Sequence, residues 1–315
     1  MQREFELNIK SLHIELLKGC NLHCQTCDGP DQTDMLALDR IRLTLDSAKS
    51  KKIRQVYLTG GEPLIREDIY DIISYARICG LHTNMTTNGT LVDGSVVDKL
   101  YLAGLNNVSL SLDGTAECND FIRGSGVYDR VIQTMELFQS RKLSRMVSVL
   151  FTISRVNYRT IPDVIAVIRK FGVRKLNFNT FDPSYLSKGL EEKKEIFWIP
   201  EEEIKCLSVI LSQSMRIAVN LGVTIPSAGY LKNIIRYFKG EPIIPQYGCQ
   251  IPATSTIVEA NGEVDGCWKL NTGLSVHHQG MDTIWDSHEY RKLVDSAQNS
   301  ECPGCMFACY SEGKK

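Results

Sequence analysis

The 315-residue sequence lacks any marked excess of charge, with 36 Lys and Arg against 37 Asp and Glu and a formal net charge of -1. Nucleic-acid-binding proteins usually need a basic surface to neutralise phosphates, so a nucleic-acid partner is not expected. No apolar run approaches membrane-spanning length, so no membrane segment is expected either. The N-terminus lacks the basic and then apolar pattern of a signal peptide. These absences predict a cytoplasmic protein with neither a membrane nor a nucleic-acid partner.

Cysteine, by contrast, is abundant, with 11 residues in the chain. In a reducing compartment, clustered cysteines indicate metal binding or catalysis, whereas disulfides belong to oxidising compartments. Eight cysteines fall into motif-like groups, and the remaining three, Cys79, Cys118 and Cys206, are interpreted as small buried side chains. The sequence therefore predicts two metal-binding groups of cysteines, one near each end of the chain.

Residues 11 to about 180 alternate short β-rich runs with longer amphipathic runs, the pattern of repeated βα units on a parallel sheet. Six parallel strands with external helices make an α/β fold, a partial (β/α)6 TIM-like barrel that does not reach the closed eight-fold form. The predicted strands are Leu12–Leu17, Gln55–Thr59, His82–Thr86, Asn107–Leu112, Met146–Ile153 and Lys175–Asn179. The predicted helices are Leu38–Lys51, Asp68–Cys79, Ser95–Ala103, Tyr128–Arg141 and Ile161–Phe171.

The pattern changes after residue 183, where a charged stretch precedes helical runs near Glu201–Leu221 and Leu231–Phe238. A segment rich in glycine and cysteine follows, with short strands such as Ser255–Glu259. We therefore predict three regions: a barrel over residues 1–195, a helical bridge over 196–244 and a small cysteine-rich module over 245–315. In parallel βα folds the active site lies beyond the carboxyl ends of the strands, and the motifs described next follow predicted strands.

The first cysteine group is Cys20, Cys24 and Cys27 in the run CNLHCQTC. Three thiolates can hold three irons of a [4Fe–4S] cluster and leave the fourth open, whereas an electron-transfer cluster normally takes four cysteines. A zinc site with a distant fourth ligand and a chance group of core thiols are the alternatives. The run resembles the CxxxCxxC signature of radical S-adenosylmethionine (radical SAM) enzymes, and that resemblance implies that SAM binds the open iron.

The segment LTGGEP resembles the glycine-rich GGE motif of the same family. The resemblance implies that its backbone and Glu62 hold the α-amino end of SAM; a plain strand-to-helix turn with Pro63 near the helix start is the alternative. The segments SLSLDG and NDFIRGSG also resemble this family. They offer Ser111 as a hydrogen-bond partner for SAM and Arg123 for its carboxylate, because a guanidinium matches a carboxylate in a fork geometry.

For Arg123 the alternative is a solvated ion pair with Asp120. Asn157 and Asn179 lie at predicted strand ends, where they could meet the ribose or adenine. The family often has an aromatic residue before its third cysteine, and this chain has Thr26, so adenine recognition there is open. The predicted SAM-contact residues are Gly60, Gly61, Glu62, Pro63, Asn88, Ser111, Arg123 and Asn157.

The second cysteine group begins with Cys249 and Cys267 around Gly262, a spacing that resembles the opening of SPASM and twitch auxiliary-cluster modules. The Asn261-Gly262 pair predicts a β-hairpin turn, which would let the two cysteines converge. With Cys302 and Cys305 they would close one auxiliary [4Fe–4S] cluster, as in the shorter twitch form. A zinc ribbon on the same four cysteines is the alternative. Cys309 either replaces one ligand or stays a free thiol.

The resemblance covers nearly the whole chain and implies reductive cleavage of SAM to a 5′-deoxyadenosyl radical, which abstracts hydrogen from an unactivated carbon. A second cluster that accepts an electron would make the net reaction an oxidation, so a radical SAM oxidoreductase is expected. The expected substrate is a small polar metabolite such as an aminocyclitol or sugar, because the first strand begins by about residue 12 without a preceding leader-peptide-binding domain. The expected electron donor is of the flavodoxin or ferredoxin type.

Two alternatives remain open at this point. One is maturation of a ribosomal peptide by crosslinking, thioether formation or epimerisation. The other, from a different functional class, is a non-enzymatic iron–sulfur carrier or redox sensor. No catalytic acid or base is assigned, since His277 and His278 lie in a loop-like stretch and are interpreted as solvated.

Overall fold

The computed structural model describes residues 7–27, 32–185, 191–243, 248–299 and 304–306. Nine strands in these ranges form one sheet. The strands are β1 (Ser11–Glu15), β2 (Gln55–Thr59), β3 (His82–Thr87), β4 (Asn107–Ser111), β5 (Val147–Ile153), β6 (Leu176–Thr180), β7 (Ser255–Val258), β8 (Glu263–Cys267) and β9 (Leu270–Ser275). Their order across the sheet is β6-β5-β4-β3-β2-β1-β7-β8-β9.

Strands β1 to β6 pair in parallel with their neighbours in the chain, which confirms the predicted partial barrel. Buried and less buried residues alternate along these strands. On β1, Leu12 and Ile14 are buried in the core, whereas Glu15 points to the opposite face. All six strands lie within two residues of their predicted bounds. The sheet stays open, so its concave face and carboxyl edge are available for a site.

The helices bury apolar stripes against the sheet; on α6, Ile161, Val164, Ile165 and Ile168 recur at helical spacing. The five predicted barrel helices are confirmed as α1, α2, α3, α5 and α6, while α4 was not predicted. The helices are α1 (Leu38–Ser50), α2 (Ile69–Ile78), α3 (Gly94–Ala103), α4 (Ala116–Arg123), α5 (Val127–Ser140), α6 (Ile161–Lys170), α7 (Glu191–Phe197), α8 (Ile204–Leu221), α9 (Ala228–Phe238), α10 (Ile251–Thr254), α11 (Met281–Asp286) and α12 (His288–Gln298).

The C-terminal strands continue the barrel sheet. Strand β7 pairs in parallel with β1, in a register that runs from Ser11 opposite Ser255 to Ile14 opposite Val258. The predicted hairpin is confirmed, since β8 runs antiparallel to β7 and Gly262 lies in the turn with φ 84°. The predicted boundary near residue 245 therefore divides the sequence, but the strands on its two sides belong to one sheet. This pairing places β7 next to β1, and β8, which ends at Cys267, next to β7.

One helical stretch, residues 192–221, is long and apolar enough to cross a membrane, with a mean hydropathy of 1.2. This finding corrects the expectation that no run approaches that length. The stretch includes α8, whose buried residues Ile204, Leu207, Leu211 and Ala218 recur along one face. That face packs against α6. Only part of the apolar composition of α8 thus serves the contact with the barrel helix, because Val209 and Val219 of the same helix are exposed.

Candidate active site

The first cysteine group lies in the loop that follows β1, at the carboxyl edge of the sheet. Backbone hydrogen bonds fix the loop at both ends: Lys18 N–H donates to the Asp34 carbonyl at 2.9 Å, and Gln25 N–H donates to the Ile122 carbonyl at 2.7 Å. Cys20, Cys24 and Cys27 together line a cavity of about 800 Å³. Within the described ranges no three Cys, His, Asp or Glu side chains are grouped to hold a metal ion. A cubane differs from such a site because its thiolates each bind a different iron.

Gly60 and Gly61 lie directly against the backbone of this cysteine loop. Gly61 N–H donates to the Leu17 carbonyl at 2.8 Å, and Glu62 N–H donates to the Gly19 carbonyl at 3.0 Å. A Cβ on Gly61 would overlap the Gly19 carbonyl, and one on Gly60, whose φ is 142°, would overlap the Leu17 carbonyl. The paired glycines therefore bring the loop after β2 into register with the cysteine loop. Both also line the cavity.

The Glu62 carboxylate is fully buried and is used by the protein itself. It accepts hydrogen bonds from Thr87 Oγ1 at 2.7 Å, Asn88 N–H at 2.7 Å and Leu64 N–H at 3.0 Å. Burial raises its pKa, while these hydrogen bonds oppose the shift. Glu62 thus ties the loops after β2 and β3 together, and its contact with the SAM amine stays a prediction. Pro63 follows it as the buried first residue of a short 3-10 turn.

Asn88 and Ser111 both lie near the carboxyl edge. Asn88 Nδ2 donates to Asn21 Oδ1 at 2.9 Å and lies 3.8 Å from Cys20 Sγ, so this side chain belongs to the surroundings of the first cysteine. Ser111 is the last residue of β4 and is 7% exposed. The structure thus gathers residues predicted from three separate motifs around one edge.

Arg123 ends helix α4 and pairs with Asp113, with Nη2 to Oδ2 at 2.7 Å. Its side chain is only 13% exposed, so the alternative of a solvated pair with Asp120 is wrong. Asp120 instead accepts from Gly126 N–H at 2.6 Å and Tyr128 N–H at 2.8 Å, at the start of α5. Within the described residues Arg123 Nε is buried without a hydrogen-bond partner. The guanidinium therefore keeps a donor for a ligand.

The positive charge of Arg123 also acts on the thiols of the cysteine loop. Burial raises the pKa of Cys24 to about 11, and the positive charge of Arg123 opposes that shift. Burial also raises the pKa of Cys27, and the positive charge of Arg123 opposes that increase. A buried cation beside two thiols favours their ionised form, which is the form that binds iron. The arrangement suits a cluster whose ligands must be thiolates.

Asn157 is fully buried, and its amide is saturated by the protein. Its Nδ2 donates to the Asp113 carbonyl at 3.0 Å and to the Thr152 carbonyl at 2.8 Å. Its Oδ1 accepts from Ser154 N–H at 2.8 Å and from Ser154 Oγ at 3.1 Å. An amide has two donors and two acceptor sites, so no capacity remains for a ligand. Asn157 therefore joins the ends of β4 and β5, and its contact with SAM stays a prediction.

The C-terminal cysteines are placed on separate segments, and Cys302 and Cys309 lie outside the described residues. Cys249 is buried and its N–H donates to the Ala297 carbonyl at 2.9 Å. Cys267 ends β8 opposite Leu270, which packs against the cluster of Cys249 and Ala297. Cys249 and Cys267 thus both lie near Leu270. Cys305 adjoins Met306, whose carbonyl accepts from Tyr230 Oη at 2.9 Å.

The cavity beside the cysteine loop has a second wall that the sequence analysis missed. Glu15, Glu259, Asp265 and Trp268 line it together with the three cysteines. Burial, reinforced by the neighbouring Glu259, raises the pKa of Asp265 to about 8. A smaller adjoining cavity of about 280 Å³ shares Trp268 and is lined by Thr26, Asn179, Phe181 and Met306, among others. The strand and hairpin signals in the sequence assign Glu259, Asp265 and Trp268 to the C-terminal module. They do not indicate that this module contacts β1.

Two family models match the chain. The one described as the Radical SAM superfamily matches residues 14–168, and the one described as an iron-sulfur cluster-binding domain, SPASM, matches residues 249–306. Among curated proteins, an AdoMet-dependent heme synthase of Methanosarcina barkeri is 33% identical over 94% of this chain and 91% of its own length. The mycofactocin maturase MftC of Mycobacterium tuberculosis is 22% identical over 92% of this chain and 74% of its own length.

Two solved structures share the fold over almost the whole chain. Streptococcus suis SuiB bound to precursor peptide SuiA has a TM-score of 0.72 at 16% identity, covering 98% of this chain and 72% of SuiB. Native anSMEcpe with bound AdoMet and peptide has a TM-score of 0.72 at 21% identity, covering 96% of this chain and 88% of that protein. At these identities the likeness is one of fold alone.

Proposed function

This chain belongs to the radical SAM superfamily, and on that premise we propose that it takes a hydrogen atom from a substrate carbon in the cavity beside Cys20, Cys24 and Cys27. Its cofactors are SAM and [4Fe–4S] clusters. When bound and reduced, they supply a 5′-deoxyadenosyl radical, the species that attacks an unactivated carbon. The rest of the proposal concerns what the residues of this chain contribute.

The observation that carries the proposal is the junction of three features in one place. The three cysteines and the glycine pair line one cavity, and Arg123, whose charge acts on Cys24 and Cys27, has a buried Nε donor without a partner among the described residues. Three thiolates suit a cluster with an open iron, and a free guanidinium donor suits a carboxylate. We assign Cys20, Cys24 and Cys27 to the cluster and Arg123 to the SAM carboxylate, while Gly60, Gly61 and Ser111 line or adjoin the SAM site.

The C-terminal cysteines form the auxiliary-cluster site in this proposal. Cys249, Cys267 and Cys305 serve as ligands, with Cys302 as the fourth from outside the described residues. Because four thiolates leave no open iron, the auxiliary cluster would exchange electrons with the substrate, which makes the net reaction an oxidation. A flavodoxin or ferredoxin would deliver the electron that starts each turnover. The division of the chain into a barrel over residues 1–195, a helical bridge over 196–244 and a module over 245–315 is part of the same proposal.

The expected aminocyclitol or sugar substrate finds no support among the relatives named above, which are a heme synthase and a maturase. Peptide maturation is a second candidate. It is favoured by the fold shared with SuiB bound to its precursor peptide over 98% of this chain. The open edge of the sheet and the two adjoining cavities give room for a substrate larger than a single sugar.

The assignment is tested by anaerobic SAM cleavage in the reconstituted protein, with dithionite as reductant and 5′-deoxyadenosine as readout. The Arg123→Gln variant should raise the KM for SAM by about 100-fold, because it removes a charge-assisted contact. Because Arg123 also favours the thiolate form of Cys24 and Cys27, iron is measured in the same samples and the rate is expressed per loaded cluster. Arg130→Gln, on the exposed surface of α5, is the matched control. A wild-type protein with full clusters that forms no 5′-deoxyadenosine would contradict the proposed reaction.

A further inference from the structure

The connections that lead from a barrel helix into the next strand carry charge of only one sign. Because strands β1 to β6 are parallel, these connections all lie at the amino edge of the sheet, opposite the edge that holds Cys20, Cys24 and Cys27. None of them contains an Asp or a Glu, and we call the surface that they form the basic edge. They are residues 49–54, 77–82, 101–106, 139–146 and 169–175, with the cations Lys49, Lys51, Lys52, Arg54, Arg77, Arg141, Lys142, Arg145, Arg169, Lys170, Arg174 and Lys175.

Most of the positive charge of the basic edge has no carboxylate beside it. Lys51 Nζ lies 3.5 Å from Asp286 Oδ1, and Arg141 Nε lies 2.6 Å from Asp98 Oδ1. The helix dipole favours cations in the last turn of a helix, which accounts for those that end α1, α2 and α6. It does not account for the exposed cations beyond the α-helix ends, which within the described residues form no salt bridge: Lys52, Arg54, Lys142, Arg145, Arg174 and Lys175. The basic edge is therefore suited to an anionic surface.

The same edge carries the most exposed large apolar side chains of the described residues. Val219, Leu102 and Ile78 are 78%, 74% and 72% exposed, and they lie in the last turns of α8, α3 and α2. The end of α8 belongs to this edge, because Arg169 Nε donates to the Leu221 carbonyl at 2.9 Å. Contact of apolar side chains with water is unfavourable, so their concentration at one charged edge indicates a surface that covers them.

A flat lipid surface fits this arrangement better than a nucleic acid or an acidic protein does. Aliphatic side chains gain little from a sugar–phosphate backbone, which is bound by polar and charged groups. A protein interface usually has an apolar core within a polar rim. Here the cationic connection 139–146 enters β5, between the end of α8 beside β6 and the end of α3 before β4. We propose that the basic edge docks on a membrane that contains anionic phospholipids, with the aliphatic side chains at the headgroup boundary and the cations against the phosphates.

Docking through the basic edge leaves the active site open, because the cysteine loop and its cavity lie at the other edge of the sheet. Arg77 and His82 line a groove of about 660 Å³ at the basic edge, which gives room for a headgroup phosphate beside the guanidinium. Peripheral docking needs neither a spanning segment nor a net positive charge, so it revises the expectation that this chain has no membrane partner. It goes beyond the proposed function and does not depend on it.

The test uses the full-length reconstituted protein and sedimentation with vesicles, which measures a partition coefficient. Vesicles of phosphatidylcholine with about 30% phosphatidylglycerol should bind the protein at least about 100-fold more strongly than vesicles of phosphatidylcholine alone. The difference should shrink when NaCl is raised from about 0.1 M to about 0.5 M, because salt screens exposed charges. Lys52→Gln, Lys142→Gln and Lys175→Gln combined should weaken binding to the anionic vesicles by about 100-fold, at about fivefold for each cation. Leu102→Gln should weaken it by about fivefold.

Arg130→Gln, Lys194→Gln and Lys205→Gln combined form the matched control, because these exposed cations lie in the first turns of α5 and α8 and on α7, away from the basic edge. This control changes the net charge equally and should bind like the wild type. Equal binding of the wild type to the two kinds of vesicle would overturn the proposal. Undiminished binding in a basic-edge triple variant that unfolds at the wild-type temperature would overturn it as well. Binding to a double-stranded oligonucleotide without binding to vesicles would assign the basic edge to a nucleic acid instead. Sedimentation does not depend on SAM cleavage, so this inference and the proposed reaction fail independently.

Discussion

The two cysteine regions of this chain are built in different ways. Cys20, Cys24 and Cys27 lie in one short loop to which neighbouring loops are hydrogen-bonded through the backbone of residues 17–19. Cys249, Cys267 and Cys305 lie on three segments far apart in the sequence. The first site is shaped by the protein before any metal binds. The second brings distant segments together, so we expect its cluster to contribute to folding stability as structural metal sites do.

The largest expected effect comes from removing the first site. Replacing Cys20, Cys24 and Cys27 together by Ala should abolish 5′-deoxyadenosine formation and lower the iron content from about eight to about four per chain. The unfolding temperature should change little, because the loop is fixed by its backbone. Cys206→Ala is the control, because Cys206 lies at an exposed position of α8, which corrects the interpretation of this cysteine as a buried side chain. A large loss of stability in the triple variant would break the comparison between the two regions.

The shape of the first site is tested without touching a cysteine. Gly61→Ala places a methyl group where the Gly19 carbonyl lies, so the loop after β2 must move away from the cysteine loop. We expect SAM cleavage to fall by about 100-fold, as displacements of about 1 Å can cause. Gly280→Ala is the matched control, since nothing lies within 4 Å of its added Cβ. Equal activity of the two variants would show that the loops need not touch.

Loss of one ligand in the second site should appear as instability. Cys267→Ala should release the auxiliary iron and lower the unfolding temperature by about 5 °C or more, measured by calorimetry under anaerobic conditions. The zinc alternative is resolved by the same sample, because metal analysis distinguishes about four irons from about one zinc. An unchanged unfolding temperature after loss of the metal would show that the C-terminal module, like the first site, is held by the protein alone.

Replacing Asn157 distinguishes a structural role of this residue from contact with the cofactor. Asn157→Ala removes four internal hydrogen bonds, including the donors to the Asp113 and Thr152 carbonyls, so the free energy of unfolding should fall by about 2–4 kcal/mol. The KM for SAM should change less than it does in Arg123→Gln. Urea denaturation measures the free energy of unfolding, and the dependence of the rate on SAM concentration gives the KM. A stable Asn157→Ala protein with a large increase in KM would instead support contact between Asn157 and SAM.

Sequence reasoning located the barrel well, since alternation of buried and exposed residues is a local signal. It could not find the pairing of β7 with β1, which joins residues about 240 positions apart, such as Ser11 and Ser255. It also missed α4, where only Asn119 and Ile122 are buried, so no clear apolar stripe marks the helix. Arg123, at the end of α4, pairs with Asp113 and not with its near neighbour in sequence, Asp120.

The glycine pair shows a second limit. The LTGGEP motif predicts that the backbone of Gly60 and Gly61 closely approaches a ligand. In the structure, Gly60 and Gly61 approach the carbonyls of Leu17 and Gly19. A sequence shows where a residue without a side chain is needed, whereas the identity of the neighbour depends on the tertiary fold. The same holds for Glu62, whose carboxylate is bound by Thr87 and Asn88 of the next loop.

The smallest effect concerns how the C-terminal strands are held to the barrel. Lys269 Nζ lies 2.8 Å from Asp182 Oδ2 and also donates to Ser184, linking the hairpin of β8 and β9 to the segment after β6. The two charged side chains are 16% and 17% exposed, so the pair is partly screened. Lys269→Ala should lower the free energy of unfolding by about 1 kcal/mol, measured by urea denaturation. The more exposed pair of Arg236 and Glu241 supplies the control, and Arg236→Ala should cost still less. A loss of several kcal/mol in Lys269→Ala would mean that this ion pair, and not the pairing of β7 with β1, holds the module on the barrel.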